Sequence, residues 1–241
     1  MLSLPEKYKK NAPITKVTFI RGANLAGAEK KRFETSVEEI RLMYQIEGFD
    51  IPNLVNDDYN CQVIMFLRIR IKDLKQSSFI SKIVQRCIAP LCVIEITDGT
   101  SVMYSFADKR LNKQNKKEIV IESDYITDKM PLEYSSDIKT LFSLYIDYET
   151  ILNRNNKHLY YVEMMTKSFL VFNQSMYSGS LKLLDSQLWY NDEKLMMCLP
   201  LLKKLKTLKQ SAAKVKTVAE RSTYNKQIKE IIKGLEEMII E

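Results

Sequence analysis

The sequence predicts a mixed α/β fold (with α+β as its close variant), in which helices cover one sheet and a helical region follows it. Residues 61–72 alternate like a strand with one buried face. The dipeptide Asp98-Gly99 lies between two apolar runs, as in a hairpin turn. Farther along, apolar residues recur at helical spacing. We therefore expect an α/β domain in residues 1–131 and a helical region in residues 132–241.

The first predicted elements are a strand over residues 15–20, where β-favouring side chains alternate, and a helix over residues 28–46. The chain before the strand is expected to be irregular because two prolines interrupt it. The helix is predicted because four apolar residues follow one another at steps of four, three and four, which places them on one helical face. These residues are Phe33, Val37, Ile40 and Tyr44.

The middle of the chain predicts the remaining elements of the sheet. A short helix should begin at Ser77 or Ser78, because serine is a favourable N-cap residue. The hairpin strands should cover residues 91–96 and 102–106, and another strand should occupy residues 118–121. This order predicts one sheet covered by two helices.

The helical region is predicted from its apolar spacing and its serines. Ser135 or Ser136 should cap a helix over residues 138–152. Residues 160–177 and 181–199 should form two more helices.

The last predicted element is a long, coiled-coil-like helix from residue 201, where apolar residues recur at heptad spacing. The heptad changes phase at Ser222-Thr223, so the helix either shifts its stripe there or breaks. Such a stripe suits docking onto a partner or self-association. The candidate interface residues are Leu201, Leu205, Leu208, Val215, Tyr224, Ile228, Ile231 and Leu235.

Positive charge is concentrated in the first part of this helix. The chain has a net charge of +7, which favours acidic partners such as nucleic acid. Between Leu201 and Ala219 there are six lysines and no acidic residue. Three interpretations stay open: a solvated helix that packs on its own chain, a salt-sensitive and sequence-independent contact with phosphates, or an acidic protein partner. The candidate nucleic-acid-binding residues are Lys203, Lys204, Lys206, Lys209, Lys214 and Lys216.

Few residues suit catalysis. His158 is the single histidine and follows a polar segment, residues 153–157, so we expect it on the surface and disfavour histidine-based triads. No glycine-rich phosphate loop occurs. The four cysteines form no CxxC pair, which indicates free thiols in a reducing compartment. We expect no metal and no cofactor, and the balance favours a protein that is not an enzyme.

One catalytic alternative stays open, a degenerate metal-dependent nuclease. Such a site needs carboxylates near strand ends to hold Mg²⁺. Glu95 lies on a predicted strand, and Asp57 and Asp58 precede another, although Thr97 stands where the usual pattern has a lysine. The alternative requires Glu95 and one of these aspartates to converge.

The chain is expected to be cytoplasmic. Residues 1–10 lack the apolar core of a signal peptide, and no apolar run approaches the roughly 20 residues of a membrane-spanning helix. We therefore expect no membrane contact.

Several short motifs together resemble one bacterial family, known as domain of unknown function 4391. The motifs are Leu4-Pro5, Lys16 with Phe19, Ala23 with Leu25, Lys30 with Phe33, residues 40–44, Ile71-Lys72, and residues 220–228 followed by Leu235. The resemblance spans most of the chain. Leu42 stands where the family commonly has Trp, a Glu and a Gln of its long strand are replaced by apolar residues, and a later Trp near Tyr125 is missing.

The resemblance implies a role but supplies no catalytic residues. Members of that family are often encoded beside helicases and DNA methyltransferases in restriction-like or phage-defence loci, which implies an accessory subunit of a DNA-acting complex. We therefore expect a non-catalytic subunit that docks through its C-terminal helix onto a larger partner of helicase or methyltransferase type and contacts the nucleic-acid backbone. A self-associating coiled coil, and hence a homo-oligomer, is the structural alternative.

Overall fold

The computed structural model describes residues 2–240 and has a mixed α/β fold, as predicted. Met1 and Glu241, the outer limits of the two predicted regions, lie outside the described residues. The strands are β1 Lys9–Pro13, β2 Val37–Ile46, β3 Leu54–Val55, β4 Asn60–Cys61, β5 Ile64–Ile71, β6 Leu91–Thr97, β7 Ser101–Leu111, β8 Ile119–Ile126 and β9 Met130–Pro131. The helices are α1 Lys16–Gly22, α2 Gly27–Ser36, α3 Ser77–Cys87, α4 Asp137–Ile146, α5 Lys157–Phe172, α6 Ser180–Leu184, α7 Asp192–Ala212 and α8 Val218–Ile240.

A mixed sheet of seven strands forms the centre of the described chain, in the order β1-β2-β5-β6-β7-β8, with β9 paired to β7. The β5–β6 pair is parallel, because α3 crosses over between these two strands, and the other pairs of this sheet are antiparallel. β3 and β4 form a separate two-stranded sheet.

The prediction of a strand over residues 15–20 was wrong, because this segment forms helix α1. Phe19 and Ile20 are both buried in one cluster with α3. A strand would turn these two consecutive side chains to opposite faces, whereas a helix can bury both. The edge strand is β1, which lies in the segment expected to be irregular.

The prediction of one helix over residues 28–46 was right only for its first part, since α2 ends at Ser36 and the chain continues as β2. β2 lies between β1 and β5 and pairs with both. A register shift near Glu39 lets Val37 and Ile40, three residues apart, enter the same apolar cluster. The spacing that indicated a helix is therefore produced by a bulged strand.

The strong strand and the hairpin were predicted correctly, and so was the helical character of the chain beyond residue 131. The single helix predicted over residues 181–199 was wrong, because α6 ends at Leu184 and α7 begins only at Asp192, where Asn191 caps it by accepting the Lys194 N–H. In the hairpin turn, the Asp98 carboxylate accepts the Ser101 N–H at 2.8 Å, and Gly99 has a φ of +90°. Ser136 caps α4 as predicted, by accepting the Lys139 N–H. α3 begins after Gln76 without a side-chain cap, so the predicted serine cap was wrong.

Helices cover both faces of the sheet. α1, α2 and α3 pack in one apolar cluster, and α4, α5, α7 and α8 belong to a larger cluster on the other face. Every residue of α5 is buried, because the sheet lies on one side of it and helices on the other. The larger cluster joins side chains from both sides of residue 131, for example Tyr104 of β7 and Phe142 of α4, whose ring centroids are 4.7 Å apart.

The C-terminal helix is two helices that form a hairpin. α7 begins at Asp192, runs through Pro200 and ends at Ala212. Residues 213–217 connect it to α8, which packs back against α7. The chain is helical through Ser222-Thr223, so of the two alternatives a break is correct in kind but lies earlier, at residues 213–217.

Candidate nucleic-acid interface

Three of the six predicted nucleic-acid-binding lysines turn toward their own chain. The Lys203 ammonium donates hydrogen bonds to the Ser123 hydroxyl at 2.5 Å and to the Asp124 carbonyl oxygen at 2.6 Å, and burial lowers its pKa. Lys209 donates to a backbone carbonyl, and Lys206 lies 5.5 Å above the Phe169 ring centroid. These lysines help to join α7 to its surroundings.

The other three predicted lysines, Lys204, Lys214 and Lys216, are exposed. Two of them lie in the connection between α7 and α8, near a shallow depression of about 420 Å³ on the first turns of α8. The basic residues that line this depression are Arg221, Lys226 and Lys229. We call this surface the hairpin tip: Lys214, Lys216, Arg221, Lys226 and Lys229.

The eight candidate interface residues divide in the same way. Leu205, Ile231 and Leu235 are buried in the chain's own core. Three more are partly buried and pack against that core: Leu201, Leu208 and Ile228. Val215 and Tyr224, nearer the hairpin tip, are half-exposed. Most of the stripe therefore holds α7 and α8 to the rest of the protein.

A second basic surface lies on α1, α2, α3 and the turn before α3. Residues 14–36 and 72–90 contain nine Lys or Arg residues and three Asp or Glu residues. Eight of the nine are exposed, and none of these eight forms an ion pair with another described residue. We call them the basic helical face: Arg21, Lys30, Lys31, Arg32, Lys72, Lys75, Lys82 and Arg86.

A groove of about 410 Å³ crosses the basic helical face between the α1–α2 turn and α3. Lys82 and Arg86, one helical turn apart on α3, line one side of it. Arg32 lies nearby, with its guanidinium 4.0 Å from the Phe79 ring centroid and its Nε donating to the Gln76 side chain at 2.7 Å. These contacts orient positive charge outward without neutralising it.

This surface is hard to recognise in the sequence because its charges come from two separated segments. Each segment alone has a net charge of only +3, and only the packing of α1 and α2 beside α3 brings the two segments together. The available signal was the charge balance, since these two segments carry a net charge of +6 out of +7 for the whole chain.

The carboxylates of the nuclease alternative do not converge. Glu95 of β6 forms an ion pair with Arg68, and the residue that pairs with it on β7 is Tyr104. Asp58 lies beside Leu111 of β7, because its carbonyl accepts the Leu111 N–H. Leu111 is seven residues from Tyr104 along β7, which corresponds to roughly 23 Å of strand and separates Asp58 from Glu95. Within residues 2–240, no group of three His, Cys, Asp or Glu side chains is placed to hold a metal ion.

His158 was predicted on the surface, and this was wrong. Its side chain is only 3% exposed, and its Nε2 lies 2.8 Å from the Asp108 carboxylate. The ring also packs against Tyr59, with centroids 4.3 Å apart and ring planes tilted by 34°. The polar segment that suggested exposure is the N-terminal cap of α5, where Asn156 accepts the Leu159 N–H, so His158 begins a buried helix.

Comparisons with known proteins identify a family. No curated protein and no solved structure matches the chain. No helix within the described residues is long and apolar enough to cross a membrane. The family model described as domain of unknown function 4391 matches residues 2–235, nearly the whole chain. The chain therefore belongs to the DUF4391 family, a domain of unknown function.

Proposed function

We propose that this protein is a non-catalytic subunit that binds the nucleic-acid backbone through its basic helical face. The observation that carries the proposal is the set of eight exposed basic side chains without an ion-pair partner among the described residues. Surface cations that serve only solubility are usually interspersed with acids. Here, nine basic residues stand against three acidic ones on one side of the sheet, and one of the three acids, Glu29, lines the groove with Lys82 and Arg86.

The chemistry of such a surface is attraction to phosphates. Each Lys or Arg that contacts a phosphate releases condensed counterions, so binding is salt-sensitive and independent of sequence. The groove between the α1–α2 turn and α3 would hold the backbone beside Lys82 and Arg86. Arg32, held over Phe79, would present a planar guanidinium suited to phosphate oxygens.

The hairpin tip provides a second, smaller place for phosphate contact in this proposal. Its five basic residues are Lys214, Lys216, Arg221, Lys226 and Lys229. Val215 and Tyr224 remain available there for a protein partner, in keeping with a subunit that works beside a larger DNA-acting enzyme of helicase or methyltransferase type, as in restriction or phage defence. Four free cysteines suit a reducing cytoplasm.

Three triple variants with equal charge change test the proposal. The first replaces Arg21, Lys82 and Arg86 with Gln on the basic helical face. The second replaces the exposed Lys204, Lys214 and Lys216 with Gln. The control replaces Lys7, Lys10 and Arg70, which pair with Asp50, Glu47 and Glu38 in the structure. Affinity for a fluorescent duplex is measured by anisotropy at low salt, with DNA and RNA duplexes compared.

We expect the first variant to lose at least about tenfold in duplex affinity, the second to lose less, and the control to stay close to the native protein. Equal losses of duplex affinity in all three variants would mean that affinity depends only on net charge, and this would contradict binding through the basic helical face. Sedimentation at low and high salt distinguishes the remaining alternative, because a self-associating coiled coil would form dimers without nucleic acid.

A further inference from the structure

The groove on the basic helical face has an apolar floor. Leu25 and Phe79 line it, and both are partly buried and pack against the apolar cluster of α1, α2 and α3. Ile83, which is only 7% exposed, belongs to the same lining. A phosphate backbone is charged and hydrated, so it gains nothing from contact with apolar side chains. The groove therefore offers contacts beyond those that backbone binding at Lys82 and Arg86 requires.

The backbone fixes the α1 side of the groove. Gly22 lines the groove at the end of α1, and a Cβ at this position would lie 3.2 Å from the Cys87 Sγ of α3, so the missing side chain lets the two helices approach closely. In the turn that follows, the Leu25 N–H donates to the Ile20 carbonyl oxygen at 2.9 Å. Asn24 adopts a φ of +50° there, a conformation that asparagine tolerates. The groove is therefore preformed, which reduces the entropy cost of binding a ligand in it.

The size and the polar groups of the groove suit a nucleobase. Its volume of about 410 Å³ lies within the range of small-ligand sites. Asn24 and Glu29 are exposed along its lining and provide hydrogen-bond acceptors. The Glu29 carboxylate would repel a phosphate, but it can accept an N–H from the pairing edge of a base. Each of the four bases has such an N–H, and this edge is free only when the base is unpaired.

We propose that this groove binds an unpaired nucleotide, so that the basic helical face prefers a single strand to a duplex. The base would lie against Phe79, which lines the groove and also lies 4.0 Å from the Arg32 guanidinium. The flanking phosphates would contact Lys82 and Arg86. Stacking on an aromatic side chain needs a base with a free face, which a paired and stacked duplex does not present. The inference rests on the proposed function and names the substrate class of its main surface.

Attraction to phosphates alone predicts the opposite preference. A duplex carries about twice the charge per unit length of one of its strands, so a surface that contacts only phosphates binds the duplex more tightly. A preference for the single strand must therefore come from contacts with the bases. This difference in sign separates base binding in the groove from general binding to the backbone.

Fluorescence anisotropy at one salt concentration tests the inference, with an oligothymidine strand and a duplex of the same length whose G·C ends resist fraying. We expect the native protein to bind the single strand at least about threefold more tightly. Phe79→Leu should weaken single-strand binding at least about fivefold and duplex binding less than about twofold, because it removes the ring and leaves the net charge unchanged. Phe79→Tyr keeps the ring and should retain the native affinity. The matched control is Tyr134→Leu, which removes an exposed aromatic side chain outside the groove and should change neither affinity.

A second variant leaves the contact between Arg32 and Phe79 in place. Ala23 lines the groove, so Ala23→Leu would fill part of its volume and should also weaken single-strand binding without weakening duplex binding. Thermal unfolding followed by circular dichroism verifies that each variant is folded. Equal or tighter binding of the duplex by the native protein, equal losses for both nucleic acids in Phe79→Leu, or native single-strand affinity in folded Phe79→Leu and Ala23→Leu would each overturn this inference alone. Absence of binding to either nucleic acid would overturn the proposed function as well.

Discussion

The Tyr161 hydroxyl of α5 donates a hydrogen bond of 2.8 Å to the Cys92 carbonyl oxygen of β6. The same hydroxyl accepts the Ala107 N–H of β7 at 2.8 Å. The direct pairing of β6 with β7 extends only to Ile94 and Ser105, so the tyrosine bridges the two strands where they separate. The central helix is thus connected to the backbone of the sheet itself.

Tyr161→Phe should destabilise the protein by about 2 kcal/mol, because it leaves the buried Ala107 N–H without this partner, while the Cys92 carbonyl keeps only its hydrogen bond from the Gln85 side chain. Urea unfolding measures the change. Tyr134→Phe is the matched control, since Tyr134 is 71% exposed, and it should alter stability by less than about 0.5 kcal/mol. A loss no larger for Tyr161→Phe than for the control would mean that the bridge does not stabilise the sheet.

Lys109 predicts a pH dependence with a definite sign. It is buried and donates to the carbonyls of Ile88 and Pro90 at 2.7 and 3.1 Å, and burial lowers its pKa from 10.5 to about 8. Between these two values the unfolded state binds more protons than the folded state, so this group's contribution to stability increases as the pH rises.

The stability difference between the native protein and Lys109→Met should therefore change in favour of the native protein as the pH rises. The change should be about 1 kcal/mol per pH unit between about pH 8 and pH 10. Burial raises the pKa of the neighbouring Cys92 to about 12. This thiol has the opposite pH dependence in both proteins, so its effect cancels to a first approximation. A difference that is constant or shrinks over this range, in urea unfolding, contradicts the prediction.

Leu235 should be essential for holding α8 in place, because its side chain is fully buried in the larger apolar cluster. Leu235→Ala should lower the free energy of unfolding by about 3 kcal/mol. The neighbouring Glu237→Ala should change it by less than about 0.5 kcal/mol, since Glu237 is exposed and its contact with Lys233 is long, at 3.6 Å. Urea unfolding measures both variants. If Leu235→Ala has the same free energy of unfolding as Glu237→Ala, then α8 is a solvated tail.

The parts of the fold that could be predicted were those with a strong local signal. The Asp98-Gly99 turn and the alternation in β5 depend on neighbouring residues, and both were confirmed. α1 and β2 could not be predicted, because their conformation is decided by partners far along the chain. In α1, burial of Phe19 beside α3 favours the helix. In β2, pairing with β1 on one side and β5 on the other favours the strand.

The candidate site shows the same limit. The six lysines of residues 201–219 were visible as one cluster, but the sequence could not show that Lys203 donates to β8 and that Lys209 donates to the Met176 carbonyl. The burial of His158 was hidden because its partner Asp108 is fifty residues away. The basic helical face had a signal in the charge balance of its two segments, but only folding shows that the two segments form one surface.

The salt dependence of duplex binding tests the central claim most directly. Each phosphate contact contributes about 0.9 to the slope of log K against log salt concentration, so replacing Arg21, Lys82 and Arg86 with Gln should reduce the magnitude of that slope by roughly 3 if all three contact phosphates. The control at Lys7, Lys10 and Arg70 should keep the native slope. An unchanged slope in the first variant would contradict backbone binding by the basic helical face.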